Sequence, residues 1–145
     1  MSGFAVSSDP RRLDRDMIHQ YLAQTSHWAR GMTRTALERA IDHSLIFGVY
    51  AGSQQIGFAR VVTDHATVAY LSDVFVLATW RGKGAGRLLL EAIMAHPDLQ
   101  ELRRFLLVSR DARPFYAKAG FTPIGHAERY MEWARSPALA VGEAA

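Results

Sequence analysis

The run Arg81-Gly82-Lys83-Gly84-Ala85-Gly86-Arg87 holds three alternating glycines among basic residues. It follows an apolar stretch that ends at Leu77 and precedes a helical stripe, so it reads as a strand-to-helix turn. At such a turn the free backbone N–H groups and the helix dipole form an anion site. Glycines let the backbone approach a phosphate with no Cβ in the way. Arg81, Lys83 and Arg87 add side-chain charge. Two common phosphate loops do not fit. A Walker A loop needs Ser or Thr after its lysine, and Lys83 is followed by Gly84. The dinucleotide fingerprint needs a third glycine three residues after the second, where this chain has Arg87 or Leu89. The plain alternative is a glycine-rich turn that holds no ligand.

The elements that would position this loop follow from periodicity and turn chemistry. Residues 14–24 predict a helix with Ile18, Tyr21 and Leu22 on one side. Residues 33–42 predict a second, capped by Thr33 and striped by Leu37, Ala40 and Ile41. Residues 45–50 and 55–63 are β-rich around Ala51-Gly52-Ser53-Gln54, which predicts an antiparallel hairpin. Residues 67–77 add a third strand. Ala85, Leu88, Leu89, Ala92 and Ile93 then recur at helical spacing until His96-Pro97. Residues 103–109 form another apolar strand, and strand–helix–strand implies a parallel pair. Asp111 reads as the cap of a short helix with Ala112, Phe115, Tyr116 and Ala119 on its stripe. Pro114 falls in the first turn of that helix and Gly120 at its end. Residues 121–124 and 129–133 read as a last hairpin, and residues 1–10 and 136–145 as loose termini. The expectation is one domain over residues 1–145 with an ordered core over about 14–133. Its fold class is α+β, a mixed and mostly antiparallel sheet with one parallel βαβ crossover, flanked by helices.

The stretch from Val76 to Gly86 resembles the acyl-CoA-binding motif of the GNAT superfamily of N-acetyltransferases. That motif is an R/Q-x-x-G-x-G/A loop after a strand ending in an aromatic–valine pair, here Phe75-Val76. Strict spacing starts at Arg81, with Gly84 and Gly86 as the motif glycines. The run Ser109-Arg110-Asp111-Ala112-Arg113-Pro114-Phe115-Tyr116-Ala117-Lys118-Ala119-Gly120-Phe121 is similar to a second motif of the family. The resemblance implies that the amides of Arg81, Gly82, Lys83, Gly84, Ala85, Gly86 and Arg87 bind the pyrophosphate of coenzyme A. It implies that the backbone of Phe75 and Val76 bonds the pantetheine arm in a gap between splayed parallel strands. Ser109, which opens the second motif, joins the cofactor-binding set. Acetyl-CoA is then the co-substrate and an amine, small molecule or peptide, the acceptor. Many relatives pair as dimers through late strands or the outer sheet edge, so a homodimer is expected, with Met131, Trp133 and the run from Phe121 as its surface.

Tyr116 occupies the position where the family places a tyrosine beside the thioester sulfur. A phenol of pKa about 10 can supply a proton to a leaving thiolate whose acid has a pKa of about 8.5. The bland reading is a core aromatic on the helix stripe. Asp73 lies in mid-strand, and alternation puts it opposite Val74 and Val76, on a face shared with Leu71 and Phe75. A carboxylate there is costly unless paired or used. One reading is a structural ion pair with an arginine such as Arg60. The other is a carboxylate that holds the cationic amine and relays its proton through water, as the acidic residue of polyamine-acetylating relatives implies. Asp64, His65 and Glu128 lie near turns and read as surface groups. His27 and Trp28 fall between the first helices, where packing is the plainer reading.

Composition sets the remaining bounds. The chain has 145 residues, 49% hydrophobic and 21% charged, as a globular protein does. It has no cysteine, which excludes a disulfide framework, cysteine-ligated zinc and a thiol nucleophile. No apolar run reaches the roughly 20 residues of a membrane span, and the N-terminus lacks a signal-peptide core, so a cytoplasmic protein is expected. The histidines show no metal-ligand pair at helical spacing, so no metal is expected. Net charge is +3, and residues 79–118 carry eight cations against four anions. That local excess fits an anionic partner such as coenzyme A. The arginines form no dense run or nucleic-acid motif. The resemblance implies an acetyl-CoA-dependent N-acetyltransferase that transfers directly, without a covalent enzyme intermediate. The alternative is a non-catalytic acyl-CoA sensor that kept the loop.

Overall fold

A computed structural model describes residues 3–135. Its centre is one five-stranded sheet in the order β1-β2-β3-β4-β5. The strands are β1 (Phe4–Ser7), β2 (Leu45–Ala51), β3 (Gln54–Thr63), β4 (Val68–Val76) and β5 (Arg104–Leu107). The first four pair antiparallel, and β4 and β5 pair parallel. The α+β architecture with one parallel crossover is therefore present as the sequence predicts. The crossover is α3 (Ala85–Ala95), which starts directly after the glycine loop.

Each sheet face has its own helices and its own core. One face packs on α1 (Arg15–Gln20) and α2 (Arg34–Asp42), where Ile18, Leu22, Leu37 and Ile41 meet Ile46, Phe58 and Phe75. Asp14 caps α1 through the Met17 N–H (3.1 Å), and Thr33 caps α2 through the Ala36 N–H (3.1 Å). The opposite face packs on α3 and on α4 (Arg113–Ala117). There Ala85, Leu89, Leu90, Ile93 and Tyr116 meet Phe47, Val49, Val61, Leu71 and Val74. Leu90 takes the buried place expected for Leu88.

Five expectations need correction. Residues 4–7 are not loose: β1 pairs with β2 from Phe4 opposite Ala51 to Ser7 opposite Gly48. Phe4 and Val6 pack on the α3-side core, which offsets the ordering of a short edge strand. The first helix does not stay α-helical to residue 24. Its last turn, Tyr21–Thr25, is π-helical, and the Ser26 N–H reaches the Tyr21 carbonyl at 2.8 Å. Asp111 is not the cap of α4. Ala112 holds that position, its N–H donates to Ser109 Oγ (2.9 Å), and Asp111 instead pairs with Arg110 (3.2 Å). The last hairpin is absent, because residues 121–135 form no strand. Pro123 lacks a ladder N–H, His126 is left-handed (φ 57°), and Phe121 packs edge-on against Phe105 and Tyr116 instead. Finally, the period of β4 breaks. Phe58 stands opposite Phe75 but Arg60 opposite Ser72, so a bulge fits both Asp73 and Val74 against Ala59. Asp73 therefore lies opposite Leu71, not beside it. Residues 136–145, expected as a loose terminus, lie outside the described residues.

Gly57 on β3 is required by close approach to β4. A Cβ there would lie 2.7 Å from the Phe75 carbonyl oxygen and 2.7 Å from Val49 Cγ1. Gly57→Ala should destabilise the fold by about 2 kcal/mol, the usual range for overpacking. Calorimetry should then show a melting temperature lower by about 5–10 °C.

Candidate active site

Strand β4 creates the site by outrunning β5. The parallel pairing covers only Val68 to Leu71, opposite Arg104 to Leu107. Residues 72–76 continue with a neighbour on the β3 side alone. The Leu77 N–H donates to the Ile56 carbonyl on β3 (2.8 Å), and backbone polarity alternates along a strand. The Val76 carbonyl therefore points to the open side, while the Phe75 backbone faces β3; of the two backbones expected to bond the pantetheine arm, that of Phe75 is already committed to the sheet. The Arg81 guanidinium reaches back to this carbonyl, with Nε at 2.9 Å. A carbonyl has two lone pairs, so one acceptor position remains.

The glycine loop follows immediately. Gly82 (φ 77°) and Gly84 (φ 92°) are both left-handed, and Gly84 is the N-cap of α3. A Cβ at either would meet nothing within 4 Å, so glycine is required by backbone conformation and not by space. Gly86 sits beside Val76 and Phe115, at 3.7 and 3.8 Å from where its Cβ would be. Loop, strand end and α4 thus converge. Arg81, Gly82, Lys83 and Arg87 are exposed, and Lys83 Nζ stands 5.9 Å from the Trp80 ring centroid. Ala85 is buried under the loop as the first residue of α3.

Tyr116 lies on the α3 side of the sheet, in the core cluster that includes Val74 and Ala85. It is buried, edge-on to Phe115 (5.1 Å) and Phe121 (6.2 Å). Burial pushes its phenol above the ordinary tyrosine range, because the phenolate would lose its hydration. Ser109 is joined to the same corner through its bond to the Ala112 N–H.

Asp73 lies on the other side of the sheet. Both its oxygens are engaged: Oδ2 accepts from Arg60 Nε (2.8 Å) and Oδ1 from Trp28 Nε1 (3.0 Å). Arg60 also donates to Ser44 Oγ (3.2 Å). The side chains of Asp73 and Arg60 are 3% and 14% exposed. The ion pair with Arg60 is thus the arrangement the structure contains. The backbone of Asp73 is left-handed (φ 57°), in the middle of a strand. Asp64 is bound by the Ala66, Thr67 and Val68 N–H groups and the Thr67 hydroxyl, which hold its carboxyl well below the usual range. His65 pairs with Asp98 (2.9 Å) and Glu128 with His126 (3.5 Å), both at the surface. Among the described residues, no group of three or more His, Asp or Glu could hold a metal ion. No helix of the described residues is long and apolar enough to cross a membrane.

The sequence reading missed Tyr21 as a site residue. Its ring stacks flat on Phe75 (3.9 Å, 8°), and its hydroxyl accepts from Arg81 Nη2 (2.8 Å). Sequence spacing carries no signal for this contact, because Arg81 lies sixty positions away.

The open end of β4, beyond its pairing with β5, thus lies beside a glycine loop that opens a crossover helix. The sequence pattern of the family described as "Acetyltransferase (GNAT) domain" matches residues 15–136, and the chain belongs to that family. An inferred acetyltransferase of Gibberella zeae is 30% identical over 138 residues, 79% of this chain and 76% of that protein. The crystal structure of an inferred GNAT-family acetyltransferase from Xanthomonas campestris pv. campestris shares 46% identity. It matches with a TM-score of 0.90 and covers 95% of this chain and 97% of that one. A Mycobacterium tuberculosis protein solved with CoA shares the fold, with 18% identity, a TM-score of 0.66 and 83% and 73% of the two chains covered.

The buried pair has a direct consequence for stability. Asp73→Asn keeps a residue type that tolerates the left-handed backbone but leaves the Arg60 charge unpaired. Arg60→Gln leaves the carboxylate unpaired. Each should cost about 3 kcal/mol, and the double substitution clearly less than their sum. Urea unfolding of the four proteins checks this, and additive losses would speak against the ion pair.

Proposed function

We propose that the chain, as one domain, transfers the acetyl group of acetyl-CoA directly to a primary amine, in the cytoplasm and as a homodimer. The observation that carries this reading is the Val76 carbonyl on the open side of β4, next to the left-handed Gly82-Gly84 loop at the N-terminus of α3. The backbone amides of residues 81–87 and the cations Lys83 and Arg87 form the phosphate end of the donor site. The backbone of Val76 takes the amide-bearing arm, and Phe75, paired with Phe58 and stacked on Tyr21, steadies the strand end. Ser109 holds α4 in place through the Ala112 N–H. When bound, acetyl-CoA supplies the activated thioester. The neutral amine forms the new carbon–nitrogen bond and loses its proton to water; Tyr116 keeps its proton on Oη until the carbon–sulfur bond breaks, gives it to the sulfur and is reprotonated from water. Its raised pKa means that transfer waits until charge develops on sulfur. Asp73, buried and on the side of the sheet away from Tyr116, serves by holding the β4 bulge and Trp28, and so acts through position.

Acetyl-CoA at millimolar concentration should raise the melting temperature by mass action. Arg87→Glu, an exposed reversal, should leave the ligand-free melting temperature unchanged and weaken acetyl-CoA binding about tenfold. An unchanged wild-type melting temperature with acetyl-CoA would overturn the donor site.

The acceptor is found by screening primary amines for release of free thiol, and a chain without cysteine adds no background. On that acceptor, Tyr116→Phe should lower turnover about 10²-fold with acetyl-CoA affinity retained. Because burial raises the pKa of Tyr116, it stays protonated through mildly alkaline pH. Turnover should therefore rise with pH as the amine deprotonates and not turn down below about pH 10. Binding of acetyl-CoA with no turnover on any amine would favour a sensor.

A further inference from the structure

Tyr21 stands where the α1 helix widens into its π-helical turn. Such turns are rare and recur at functional sites. The ring is locked against Phe75 (3.9 Å) and faces Trp28 (6.5 Å), so its hydroxyl has a fixed position. That hydroxyl accepts from Arg81 Nη2 (2.8 Å), while Arg81 Nε donates to the Val76 carbonyl (2.9 Å). The two bonds grip one guanidinium from two elements that are distant in sequence. Three of its five N–H donors remain, at the exposed first position of the glycine loop.

We propose that Tyr21 is a positioning residue for phosphate recognition: it holds Arg81 in place before the donor arrives. This rests on the donor site proposed above and deepens it. An arginine side chain loses much rotamer freedom when fixed. If Tyr21 has already fixed it, ligand binding need not bear that loss, and affinity rises. The effect acts only through the anionic part of the ligand, because Arg81 is the group being held. It also joins the helical face of the sheet to the loop on its edge, since Tyr21 packs with Phe75 on the α1–α2 side.

The test compares two ligands that share one arm, coenzyme A and pantetheine, which lacks the phosphates. Binding is measured calorimetrically for wild type, Tyr21→Phe, Arg81→Ala and the double variant. Tyr21→Phe keeps the stacked ring and removes only the hydroxyl, and Arg81 is exposed, so all four should fold. Tyr21→Phe should weaken coenzyme A about fivefold and leave pantetheine unchanged, as the loss of a bond to a charged group implies. Arg81→Ala should weaken coenzyme A about tenfold. The double variant should match Arg81→Ala alone, because Tyr21 then has nothing to hold. Equal weakening of both ligands, no effect on coenzyme A, or an additive loss in the double variant would overturn the inference. If wild type binds no coenzyme A, the donor site itself falls.

Discussion

The Arg60–Asp73 pair fixes the point at which β4 stops being an ordinary strand. Asp73 is left-handed, a conformation that costs an L-residue roughly 1–2 kcal/mol. It also buries a carboxylate, which is costly without a partner. Arg60 and Trp28 together make that conformation tenable, the one with charge and the other with an indole N–H. Two residues then oppose one on β3, and the strand turns just beyond Leu71, its last pairing with β5. The open edge, the outward Val76 carbonyl and the approach to the glycine loop all lie downstream of that bulge.

The sheet separates two kinds of work. On the α3–α4 side, Tyr116, Val74, Val76 and Phe115 form an apolar corner beside the loop, where a phenol is kept neutral by burial. On the α1–α2 side, charge and hydrogen bonds are matched within the protein: Asp73 with Arg60, and Tyr21 with Arg81. Phe75 touches both pairs' surroundings, since it stacks on Tyr21 and shares a core with Phe58 and Ile46. Geometry at the end of β4 is thus set from three elements at once, which is how a site held on a strand end stays rigid.

Local chemistry was legible in the sequence and long-range chemistry was not. The Thr33 cap, the meander, the crossover helix and the glycine loop each depend on neighbours within a few residues. The Arg60 partner of Asp73 could be anticipated because a buried carboxylate demands a cation, yet the bulge could not. Alternation alone put Asp73 beside Leu71, and no residue type in Ser72-Asp73-Val74 announces an extra position. Strand β1 was missed because four residues carry too little pattern, and its ordering depends on Phe4 and Val6 reaching a core built by later elements. The last hairpin was expected from composition, but Phe121 found a better-packed place between Phe105 and Tyr116.

Strand β1 also reaches the loop. Phe4 meets Trp80 edge-on, with ring centroids 6.0 Å apart, and Trp80 immediately precedes Arg81. The front end of the chain is therefore a buttress for the segment that leads into the glycines. The approach to the glycines is consequently as firm as the pairing of β1 with β2, and whatever frays that four-residue edge strand also loosens the segment that leads into the loop.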